Sequence, residues 1–122
     1  MTAKRTFRCR PDAVPAARRF VREALSDQPS EITSAAELMA SELATNCVLH
    51  AHTDFELTVR AHGEIRVEVR DGGRGRPTVL SPSPRDPSGR GLRIVDAMSD
   101  TWGVTPATGG KAVWFTLSSP AA

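Results

Sequence analysis

Two β-branched, apolar segments, Phe55–Ala61 and Glu64–Arg70, flank His62-Gly63, and this pair constrains the chain more than any other feature. A His-Gly step between such segments predicts a hairpin. The second segment alternates, with Ile65, Val67 and Val69 on one side and Arg66, Glu68 and Arg70 on the other. A sheet of that kind needs a cover for its apolar face.

The cover stands upstream. From Ser30, the residues Ile32, Ala36, Met39, Leu43 and Cys47 recur at helical spacing, and no breaker follows until about residues 50–54. The spacing predicts a helix of roughly five turns, with Glu31 suited to its positive N-terminal end. A shorter helix is predicted before it. Asp12 stands at its N-cap and Pro15 in its first turn; Val14, Ala17, Val21, Ala24 and Leu25 form its stripe, and it stops near Ser26–Pro29. Thr6–Cys9 is a candidate strand. After the hairpin, residues 76–88 are rich in Pro and Ser and read as a lid. A short helix from Gly91 carries Leu92, Val95 and Met98. Strands Thr101–Thr105 and Lys111–Leu117 follow, joined across Pro106, Gly109 and Gly110. This order predicts an α+β, two-layer sandwich: a mostly antiparallel mixed sheet covered on one face by about three helices.

At 122 residues, 39% hydrophobic and 25% charged, the chain is expected to form a single domain over residues 1–122, large enough to fold without disulfides. Cys9 and Cys47 lie far apart and make no metal cluster. No apolar run approaches the roughly 20 residues of a membrane span, and none follows Lys4-Arg5 as a signal peptide requires. The expectation is a soluble cytoplasmic domain with no membrane partner. The net charge of +2 hides a basic segment 1–22 and an acidic one, 23–64. A solvated face accounts for both, and no reading helix or aromatic platform points to nucleic acid.

Polar chemistry interrupts the pattern in three places. Glu42 and Asn46 are four apart on the long helix, hence about 40° apart around its axis, beside the stripe of Met39 and Leu43. A carboxylate there can take a proton from a hydroxyl nucleophile, and a neutral amide oxygen can ligate magnesium. Glu-x-x-x-Asn alone is equally a solvated helix surface. Asp71-Gly72-Gly73-Arg74-Gly75 closes the alternating strand. Its glycines let backbone approach a flat ligand, and Asp71 can accept from an exocyclic amino group; a glycine-rich turn capped by Asp fits as well. Gly89-Arg90-Gly91-Leu92 enters a helix, where free amides suit phosphate and Arg90 can add charge. An ordinary loop-to-helix junction would look the same.

Taken together, the three resemble the signature of the GHKL ATPase superfamily, whose nucleotide site is the Bergerat fold. Glu42-Leu-Ala-Thr-Asn46 is similar to its N box, Asp71-x-Gly73-x-Gly75 to its first glycine box and Gly89-Arg-Gly91-Leu92 to its second. Within the superfamily the chain resembles the RsbW-like anti-sigma-factor serine/threonine kinases, through Gly91-Leu92-x-Ile94-Val95, Trp102-Gly103-Val104 and Lys111-x-Val113-Trp114-Phe115. The likeness runs from about Thr6 to Leu117.

The resemblance implies the cofactors ATP and Mg²⁺. Asn46 would ligate the metal, and Glu42 would act as base toward a Ser or Thr hydroxyl. Asp71 would hold the adenine amino group, with Gly73 and Gly75 shaping its pocket. Gly89, Arg90, Gly91 and Leu92 would form the phosphate end. It also implies two protein partners, a sigma factor and an anti-sigma-factor antagonist, and leaves a homodimer open. Two departures stand out. Many relatives carry a basic residue where this chain has Leu49, and a Thr near Ala112. Arg74, Arg76 or Arg85 can replace the missing charge. Two further readings fit the same residues: a non-catalytic ATP-binding regulatory module, and a detached histidine-kinase catalytic domain.

Overall fold

The computed structural model describes residues 1–72, 87–107 and 109–118, with residues 87–91 described by backbone alone. Strand β1 (Thr2–Phe7) leads into helices α1 (Ala13–Ala24) and α2 (Ser30–Asn46). A π-helical turn, Cys47–Ala51, extends α2 before strands β2 (Phe55–His62) and β3 (Glu64–Asp71). Helix α3 (Pro87–Met98) and strands β4 (Thr101–Ala107) and β5 (Gly110–Ser118) follow. The sheet order is β1-β2-β3-β5-β4, and every pairing is antiparallel. The α+β sandwich read from the sequence is therefore the fold, with its central hairpin turning at Gly63, φ 88°.

The alternation sets which face is covered. Leu57, Val59, Ile65 and Val67 are fully buried, and Val113, Phe115 and Leu117 of β5 continue the same face. Ala17, Val21 and Leu25 meet Ala36, Met39, Ala40 and Leu43 between the helices, where small alanines let the backbones approach. Phe7 ties the corner together. Its ring stacks on Phe55 at 5.3 Å and meets Phe20 of α1 edge-on at 5.9 Å. The Thr33 hydroxyl donates to the Leu25 carbonyl at 3.0 Å, satisfying a group left open where α1 ends. Arg22 reaches across from α1 to Glu37 of α2 at 2.8 Å. The far face of the sheet carries Arg66 stacked 4.3 Å over the Trp114 ring.

Four details differ from the sequence reading. β1 runs Thr2–Phe7 rather than Thr6–Cys9. As an edge strand it is held by pairing with β2 and shows no apolar alternation, while the Cys9 amide already donates to Asp54 at 2.8 Å. Asp12 occupies the N-cap of α1 without a capping hydrogen bond; its carboxylate faces Arg10 at 3.6 Å instead. Helix α3 begins at Pro87, where a missing amide costs nothing, and not at Gly91. The segment read as a lid lies mostly outside the described residues, and its last two residues, Pro87 and Ser88, belong to α3.

Candidate nucleotide site

The ends of four elements converge here: the last turn of α2, the last residue of β3, the first residues of β5, and α3 packed against α2. Glu42 and Asn46 are both half-buried, one turn apart, and flank the covered stripe of Met39 and Leu43. Asn46 is the last regular residue of α2. Immediately after it the helix widens into the π turn, which closes on His52 in the left-handed conformation, φ 54°. Such widenings are rare, and they frequently mark functional sites.

Asp71 ends β3 with its side chain turned inward, in phase with Val69, and is only 4% exposed. A carboxylate that deep needs a charged partner. Lys111, directly opposite in the β3–β5 register, donates to Asp71 Oδ2 at 2.8 Å and is itself 14% exposed. Cys47 reports on both. Burial pushes its thiol up to about 12; the Asp71 charge pushes the same way, and Lys111 pulls back. The residue after Asn46 therefore lies within electrostatic reach of the Asp71–Lys111 pair.

Gly110 explains how β5 comes so near. A Cβ at this position would lie 2.0 Å from the Asp71 carbonyl oxygen, which is backbone and cannot swing aside. Gly110→Ala is expected to cost about 2 kcal/mol or more by overpacking, lowering the melting temperature by roughly 5–10 °C. A thermal melt identical to wild type would show that the two strands separate freely there.

The remaining expected residues divide. Gly73 and Gly75, with Arg74, Arg76 and Arg85, lie outside the described residues. Gly89, Arg90 and Gly91 are the third, fourth and fifth residues of α3. By helix geometry the amides of Ser88 and Gly89 keep the open positions of the first turn, whereas that of Gly91 joins the i→i−4 ladder. Of the residues expected at the phosphate end, Gly89 keeps such an open position. Leu92 is buried in the core, 1% exposed.

Other residues contribute where the sequence suggested nothing. Lys111 opens the Lys111-x-Val113-Trp114-Phe115 motif, and the alternation Lys111, Val113, Phe115 puts it in phase with the core. Ala112 pairs with Arg70 and so belongs to the opposite face of the sheet. Asp96 accepts from the Trp102 indole at 2.7 Å, and Asp100 accepts from the amide and hydroxyl of Ser118 at 2.6 Å. Both join α3 and its exit to the sheet. A hollow of about 290 Å³ at the same sheet end is lined by Asp54, Arg70, Asp71 and Gly72 among others. It includes neither Glu42 nor Asn46.

Comparison with known proteins agrees with this geometry. Residues 7–117 match the histidine kinase-like ATPase domain. No curated protein matches the chain. Among solved structures, the chain is similar to the RsbU and RsbW domains of Rv1364c from Mycobacterium tuberculosis, with TM-score 0.76 and 18% identity, over 98% of this chain and 32% of that one. It is also similar to the histidine kinase domain of the Erythrobacter litoralis EL346 blue-light activated histidine kinase, with TM-score 0.58 and 28% identity, over 74% of this chain and 46% of that one. A longer structure of the same kinase gives 0.57 and 27%, over 75% and 32%. The chain thus spans from about a third to under half of the chains it matches. No described helix is long and apolar enough to cross a membrane. With the fold matched throughout and the N-box-like turn set beside a buried strand-end aspartate, the chain belongs to the histidine kinase-like ATPase domain family, that of ATP-binding, kinase-like domains.

Proposed function

We propose that this single domain binds Mg-ATP between α2 and the end of β3 and transfers the γ-phosphoryl group to a Ser or Thr of a small antagonist protein. In the same reading it sequesters a sigma factor until that antagonist is engaged, in the cytoplasm, as an RsbW-like regulator. One observation carries the proposal: Asp71, 4% exposed at the end of β3, keeps a buried carboxylate beside Lys111 on the strand that α2 packs against.

Each residue has a task that its chemistry allows. Asp71 accepts from the adenine amino group. The open amides at Ser88 and Gly89 face anionic oxygens, and Arg90 adds charge at the same helix start. Gly73 and Gly75 are assigned the shaping of the adenine pocket, as the family resemblance implies. Glu42 takes the proton from the incoming hydroxyl. Asn46 offers a hard, neutral oxygen donor of the kind Mg²⁺ accepts. Among the described residues no cluster of three or more His, Cys, Asp or Glu can hold a metal by itself. Asn46 is the residue that would hold the metal. When bound, Mg²⁺ supplies neutralisation of phosphate charge; positioning is left to the protein.

The test is to incubate the chain with Mg-ATP and its cognate antagonist and to weigh both proteins. The expected result is one phosphoryl group on a Ser or Thr of the antagonist. A second reading, ATP held without transfer, is favoured by Leu49, which is apolar and 57% exposed where many relatives carry a basic residue. ATP binding with no mass gain on the antagonist would establish that second reading instead.

A further inference from the structure

Lys111 reaches the base of the site through strand register. It lies opposite Asp71, shares its face, and donates to Oδ2 at 2.8 Å. The two groups differ in kind. An ionised carboxylate only accepts hydrogen bonds, and an ammonium only donates them. The Watson–Crick edge of adenine offers the matching sequence side by side: an amino donor at position 6, then an acceptor at ring N1. Adjacent acceptor and donor groups on the protein can therefore read two adjacent atoms of the base.

We propose that Lys111 donates to N1 of the adenine ring, so that Asp71 and Lys111 together read the base at two points. The assignment rests on the ATP-binding reading above. It needs no rearrangement of the pair, because a carboxylate has room for several donors and an ammonium has three N–H groups. It also gives β5 a part in recognition that Ala112, on the opposite face, cannot play. The opposed arrangement has Lys111 as a plug that occupies Asp71 and must leave before adenine enters. The two predict opposite signs when the ammonium is removed.

The experiment titrates ATP and 1-deaza-ATP, in which C–H replaces N1, into the wild-type chain, Lys111→Met and Lys111→Thr, with melts confirming that each variant is folded. A charge-assisted hydrogen bond corresponds to about tenfold or more in affinity. Wild type should bind 1-deaza-ATP about tenfold or more weakly than ATP. The variants should bind ATP at that weaker level and no longer distinguish the two nucleotides. Because the analogue comparison on wild type needs no substitution, misfolded variants do not spoil it. Equal binding of both nucleotides by wild type overturns the assignment. So does discrimination retained in a folded variant, and so does tighter ATP binding by Lys111→Met, which would reveal the plug. If wild type binds neither nucleotide, the ATP reading itself falls, and this assignment falls with it.

Discussion

Glu42→Gln should slow phosphoryl transfer by about 10²–10⁴-fold while leaving ATP affinity within about threefold, the span expected for losing a general base and nothing else. The substitution keeps the shape of the side chain and removes only its capacity to take a proton. Glu42 is half-buried one turn before Asn46, so an isosteric amide disturbs neither Met39 nor Leu43 beneath it. Single-turnover transfer to the antagonist gives the rate, and calorimetry with ATP gives the affinity. Unchanged turnover would remove Glu42 from the mechanism. Equal losses in rate and affinity would make it a binding residue.

The second large effect is expected from Asp71→Asn, which acts on stability and on binding at once. The change leaves the Lys111 ammonium, 14% exposed, without its counter-charge. Breaking one side of a buried pair typically costs about 3–5 kcal/mol. It also weakens the acceptor offered to the adenine amino group, and ATP affinity should fall about ten- to a hundredfold. Pairing the change with Lys111→Met separates the two effects. The double variant buries no lone charge, so it should regain most of the stability but none of the affinity. Melts without nucleotide and titrations with ATP read the two quantities independently. Wild-type affinity in folded Asp71→Asn would take Asp71 out of the base pocket.

What could be read from sequence was whatever local pattern decides. The β2–β3 hairpin was legible because Ile65, Val67 and Val69 alternate with charge, and α2 because its stripe repeats over 17 residues. Glu42, Asn46 and Asp71 are candidates from sequence because each lies in a short local motif. β1 was misplaced because an edge strand is defined by its partner and carries no periodicity of its own. The start of α3 was set too late because its glycines were read as entrance residues, whereas Pro87 opens it. Lys111 lay beyond local reading altogether. Its partner is 40 residues away, and only the register of β5 on β3, with Gly110 close to the Asp71 carbonyl, brings the ammonium to the carboxylate. Asp96 and Asp100 likewise become acceptors only through where β4 and β5 meet α3.

The central claim, that a purine nucleotide is held between α2 and the end of β3, is tested most directly by calorimetric titration of ATP and ADP with and without Mg²⁺, on wild type and on Asn46→Ala. The account predicts one saturable site with a dissociation constant below about 1 mM, tightened by Mg²⁺ in wild type, with that metal dependence lost in the variant. Folded wild-type protein that takes up neither nucleotide in that range, or a variant whose Mg²⁺ dependence is intact, would contradict it.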